Sequence, residues 1–135
     1  MRCALSLGMT PAELKDRTIN FAIRVYRFIR PMLAEPDSRH VAMQLFRSAT
    51  SVAANYRAVC LARSRKEFSA KAGLLREESD ESLFWLEFIA KAGMASPAQP
   101  ELRELTVESD ELARIFRATY RTSQTNLGKK GTKHP

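Results

Sequence analysis

The sequence predicts an all-α protein, an antiparallel up-down-up-down four-helix bundle formed by residues 10–127. Three observations carry this expectation. The chain has only 5 Gly and 6 Pro in 135 residues, so long stretches run without a breaker. Within those stretches apolar residues recur at alternating spacings of three and four, the stripe a helix presents to a core. The stretches open on recognisable capping sequences.

Thr10-Pro11-Ala12-Glu13 opens the first helix, with Thr as N-cap, Pro in the first turn and Glu placed to complete a capping box. This helix is predicted to run to about Leu33 on an inner stripe of Leu14, Phe21, Val25, Phe28 and Met32. Pro31 weakens its last turn. Ser38 is expected to cap a second helix over about Ser38–Arg63, whose apolar stripe is Val41, Leu45, Ala49, Val52, Tyr56 and Val59. Ser64-Arg65-Lys66-Glu67 is a second capping box and starts a third helix that stops at Gly93. Ser96-Pro97 is expected to open the fourth, with Leu105, Leu112, Ile115, Phe116 and Tyr120 facing inward. Residues 1–9 and 128–135 are expected to be flexible termini, and Met9 is a second possible start.

Beside the apolar stripe of the second helix runs a polar one, Gln44, Ser48, Ser51 and Asn55. Such side chains compete with helical backbone hydrogen bonds, so a line of them requires a partner. That partner is either a close-packed helix or a ligand in a groove. The short connection at Ser64 makes the second and third helices an antiparallel hairpin. Counting outward from Ser64 places Asn55 near Gly73, Ser51 near Glu77, Ser48 near Asp80 and Arg47 near Glu81. Gly73 with Ala53 and Ala54 would let the two backbones approach closely, and the whole set would form an inter-helix polar seam. Leu83, Trp85, Leu86, Phe88 and Ile89 spread more than halfway round the third helix, which predicts either self-association or a cover for the end of the bundle.

Enzyme chemistry finds no foothold. A di-iron bundle needs Glu-x-x-His pairs, and neither His40 nor His134 follows a Glu by three. Glu77/Asp80 and Glu78/Glu81 are carboxylate pairs at helical spacing, but without histidines they suit salt bridges rather than a metal. No phosphate loop or nucleophile elbow occurs, and Cys3 and Cys60 have no redox or ligand spacing. The sequence therefore predicts a non-enzyme without cofactor or metal. With no membrane span or signal-peptide pattern, it also predicts a cytoplasmic protein.

The net charge of +7 favours an anionic partner. Residues 1–60 hold nine Lys/Arg against four Asp/Glu, so much of the excess lies in the first half. Arg57, Arg63, Arg65 and Lys66 gather near the turn before the third helix, where free backbone N–H groups also suit phosphate. These four are the candidate contacts to RNA or DNA. The sequence offers no recognition-helix signature and no stacking platform, so contact would be to the backbone and salt-sensitive.

The run QLFRSATSVAANYRAVCLARSRKEF, from Gln44 to Phe68, followed by Lys71, Ala72, Glu77, Asp80, Glu81 and the segment LFWLEFI, closely resembles the four-helix bundle family named for proteins encoded in intervening sequences of bacterial 23S ribosomal RNA. The resemblance covers about residues 14–127. Members often carry an acidic residue three after the Asn; here that position is Ala58, so no role of that carboxylate carries over. The resemblance implies a homopentamer. It also implies kinship with the accessory protein of diversity-generating retroelements, in which a similar basic pentamer engages a reverse transcriptase and nucleic acid. A protein-protein scaffold with no nucleic-acid binding of its own is the competing expectation.

Overall fold

The computed structural model describes residues 8–96 and 98–128. The expected flexibility of residues 1–7 and 129–135, and with it Cys3, His134 and the tail lysines, lies outside the described residues. Four α-helices and no strand are found among those described: α1 Pro11–Ile29, α2 Pro36–Cys60, α3 Arg65–Lys91 and α4 Pro100–Gly128, with a 3-10 helix Arg30–Ala34 between α1 and α2. They pack as a bundle in which α3 lies between α2 and α4, and α1 lies chiefly against α2.

The caps explain the boundaries. Thr10 accepts a hydrogen bond from the Glu13 N–H, and the Glu13 carboxylate accepts one from the Thr10 N–H, completing the capping box. The α-helix ends at Ile29 rather than near Leu33, because Pro31 cannot donate into the ladder and the chain tightens into 3-10 turns. α2 starts at Pro36, two residues before the expected cap, with Glu35 in extended conformation ahead of it. Ser38 instead donates to the Met32 carbonyl at 2.7 Å and staples α2 to the preceding turn. At the other end α2 stops at Cys60, where the Leu61 and Ala62 N–H groups bond Ala58 and Val59 in the tight turn toward α3.

Ser64 caps α3 by accepting from the Glu67 N–H at 3.0 Å. The second half of the expected box is displaced by one residue: Glu67 accepts from the N–H of Arg63, not Ser64. α3 ends before Gly93, whose φ of 73° is the left-handed conformation glycine adopts without a Cβ penalty. α4 begins at Pro100 rather than beside Ser96; Ser96 makes a local turn to the Ala98 N–H. Pro97 lies outside the described residues.

Phe21, Leu45, Tyr56, Leu75, Leu86, Leu112 and Phe116 are buried at the centre, with Tyr56 and Phe116 rings 5.7 Å apart. Met9 and Met94 pack against this cluster from its edges. Replacing Leu45, which is 0% exposed, by Ala is expected to cost about 2–5 kcal/mol of unfolding free energy. Ser64→Ala is expected to cost only about 1 kcal/mol, the usual loss of an N-cap; urea unfolding of both variants checks the order.

Candidate polar seam and basic tip

The short turn sets the register between α2 and α3, and one predicted pair forms as expected. Arg47 Nη2 lies 2.5 Å from Glu81 Oε2, and Arg47 Nη1 lies 3.5 Å from Glu78 Oε1. Glu81 also accepts from the Trp85 indole N–H at 3.2 Å, so one carboxylate ties an exposed arginine to a half-buried aromatic. Burial pushes the Glu81 carboxyl up, but hydrogen bonds from Arg47 and Trp85 and the Arg47 charge outweigh it and hold it below its ordinary range.

The other three pairs do not form. Ser48 meets Ser82, its Oγ 3.0 Å away, rather than Asp80; the two hydroxyls also lie within bonding distance of the Leu45 and Glu78 carbonyls of their own helices. Asp80 turns to α4 and accepts from Arg117 at 3.1 Å. Glu77 has only a loose ion contact, 3.9 Å to Arg76. Gly73 faces α4: a Cβ built there would stand 3.1 Å from the Tyr120 ring, which also carries the Arg76 guanidinium 5.0 Å from its centre. Ala53 and Ala54 line a groove against α1. Counting from a turn fixes level along the helices, whereas each residue rotates about 100° further round, so neighbours in level point at different helices. Among the described residues Gln44, Ser51 and Asn55 are half-buried and make no side-chain hydrogen bond across the contact.

A second polar seam, between α3 and α4, lies beyond what the sequence predicts. Ser69 Oγ lies 3.0 Å from Ser123 Oγ and accepts from the Gln124 amide at 2.5 Å. The only signal in the sequence is that both serines fall on apolar stripes, as Ser82 does. α1 is clamped to α4 by charge: Arg17 makes a two-pronged contact with Glu108 at 2.7 and 2.9 Å and a short one with Glu111, and Arg24 reaches Glu101 and Glu104. The Glu108 hydrogen bond outweighs burial and raises the Arg17 pKa further, so this clamp keeps its cation at any accessible pH.

Of the predicted basic group, Arg63, Arg65 and Lys66 stand exposed at the α2–α3 tip beside Leu61, which is 76% exposed. Arg63 approaches Glu67 at 3.6 Å but is 88% exposed. Hydrogen bonding from the Arg63 N–H, more than the nearby cations, draws the Glu67 carboxyl below its ordinary range. Arg57 sits apart from the tip, on the α1 side of α2, where it lines the groove with Lys15 and Asp16. Arg57, Arg65 and Lys66 form no ion pair among the described residues. Nor do any three His, Cys, Asp or Glu of those residues gather as a metal donor set, and none of their helices is long and apolar enough to cross a membrane.

No family model matches the chain, and no curated protein matches it. Its fold is similar to the crystal structure of a protein with unknown function from the S23 ribosomal protein family of Bacteroides thetaiotaomicron, the 23S rRNA intervening-sequence family, with a TM-score of 0.73 at 25% identity. The match covers 84% of this chain and 99% of that one, so the whole of the neighbour is a bundle of this kind.

Two outcomes are expected at Arg47 and Glu81. A double-mutant cycle to Ala should give a coupling of about 0.5 kcal/mol, the size of a largely exposed pair. Because the folded pKa of Glu81 is depressed, its contribution is present above the free carboxylate value of about 4.3 and is lost as pH falls through the folded value. The stability gap between wild type and Glu81→Gln should thus be flat near neutrality and shrink on acidification, as followed by urea titrations at several pH values.

Proposed function

We propose that this chain is a member of the 23S rRNA intervening-sequence family, a cytoplasmic, non-enzymatic bundle that assembles with itself, five-fold as in that family, and presents basic tips to the phosphates of RNA or DNA. The observation that carries the nucleic-acid reading is the α2–α3 tip. Arg65 and Lys66 are exposed and have no carboxylate partner among the described residues, with Arg63 beside them. Many other arginines are neutralised: Arg17, Arg24, Arg47, Arg114 and Arg117 all reach carboxylates. The start of α3 adds its backbone dipole at the same place. Among the described residues no exposed aromatic stands with the tip to stack on bases, Phe68 beside it being buried, so the contact is electrostatic and indifferent to sequence.

A second reading rests on a different observation. Phe84, Trp85 and Phe88 form an aromatic cluster with Phe84 51% and Phe88 39% exposed. That surface fits a protein-protein scaffold, with a reverse transcriptase or another protein as the further partner.

Filter binding of a short RNA over a range of salt separates the two. The first reading expects affinity to fall steeply with salt, and the triple variant Arg63→Ala, Arg65→Ala, Lys66→Ala to flatten the log-log slope by about 0.7 for each phosphate that is no longer neutralised. Salt-independent or absent binding leaves the scaffold.

A further inference from the structure

Among the described residues two apolar surfaces of the bundle are left without a partner, and they lie on adjacent faces that share α2. One is the α1–α2 face, where Ile19 (46% exposed), Ile23 (40%) and Tyr26 (46%) follow one another along α1. Beside them a groove of about 520 Å³ is floored by Ala22, Ala53 and Ala54. The other is the α2–α3 face, with Leu74 (50% exposed) and the Phe84–Trp85–Phe88 cluster. Trp85 belongs to the α2 side of α3 because its indole bonds Glu81, which holds Arg47 of α2.

The registers of the helices match these surfaces in height. Tyr26 and Phe46 rings are 6.0 Å apart, while Arg47 pairs with Glu81 and Ser48 with Ser82. Tyr26 and Phe46 therefore stand level with the aromatic cluster. Ile19 and Ala53 stand level with Glu77, and Arg57, about one turn lower, stands level with Leu74. Charge agrees with this match. The lower end of the groove carries Lys15 and Arg57 against the single acid Asp16, and Arg57 has no ion partner among the described residues. The opposite surface one turn above Arg57, within the reach of an arginine side chain, offers Glu77, 64% exposed and only loosely held by Arg76.

We infer that the occupant of the α1–α2 groove is a second copy of this chain, which inserts its Leu74–Phe88 face upright and side by side, with Arg57 of one copy against Glu77 of the next. This rests on the self-assembly proposed above and names its two surfaces. The contact is heterologous, since each copy uses one face to receive and another to insert. Heterologous contacts either close into a ring or run on as a filament. Adjacent faces turn the chain of copies, and equal heights give no rise, so this one closes. All basic tips then lie on one side of the ring, and phosphate contacts there multiply without a new site.

Mixing two defective variants tests the pairing. Ile19→Glu with Ile23→Glu spoils the receiving face, and Phe84→Glu with Phe88→Glu spoils the inserting face; all four positions are exposed, and circular dichroism with thermal melting verifies the fold. By light scattering each variant alone is expected to be a monomer, and an equimolar mixture is expected to form a one-to-one dimer that grows no further, because one intact pair of faces remains. Variants that assemble like wild type, or a mixture that stays monomeric, overturn the pairing while leaving self-assembly standing. A monomeric wild type overturns self-assembly itself. Should either double variant unfold, the surface charges give the same answer: Arg57→Glu should weaken assembly at least tenfold and added Glu77→Arg should restore it, and no effect of either overturns the contact.

Discussion

The constraint on which the bundle depends is the four-residue link between Cys60 and Arg65. Two N–H groups there fold back on Ala58 and Val59, and the Ser64 hydroxyl takes the Glu67 N–H. The Glu67 carboxylate then takes the Arg63 N–H. With its polar groups spent locally, the link has no freedom to let α2 and α3 slide. Their register follows, and with it the meeting of Arg47 with Glu81 and of Ser82 with Ser48.

Small side chains let the helices come close once this register is set. Ser48, Ser69, Ser82 and Ser123 are all buried, and their hydroxyls bond one another or the carbonyl of the preceding turn, so close approach leaves these groups satisfied. Gly73 does the same for the Tyr120 ring. α1 is attached differently. It packs well on α2, but toward α4 it relies on Arg17 and Arg24 reaching across to glutamates. Its outward face keeps the Ile19, Ile23 and Tyr26 stripe.

The molecule is thus polarised along its length. Its aromatic cluster lies toward the end where α3 finishes, and the group of Arg63, Arg65 and Lys66 lies at the tip where α3 begins. The aromatic cluster and the basic tip occupy different ends of the bundle and need not compete. The separation also explains why Arg57 stands apart from Arg63, Arg65 and Lys66. Helical rotation carries it onto the α1 side of α2, where it lines the groove with Lys15 and Asp16.

The amino-acid sequence by itself determined the four helices, the inward stripes and the hairpin at Ser64, because caps, proline positions and apolar spacing act within a few residues. It also determined the level at which Arg47 meets Glu81. What it did not determine was azimuth: Asp80 turned to Arg117, Gly73 to Tyr120, and Ala53 and Ala54 to α1, since the direction a side chain faces depends on where the third and fourth helices stand. Helix starts were misplaced where a polar residue had a better use than capping. Ser38 held the Met32 carbonyl, a bond from outside the helix that no local pattern records. The α3–α4 serine seam stayed hidden for the same reason, because a serine on an apolar stripe becomes a contact only when packing brings another opposite it.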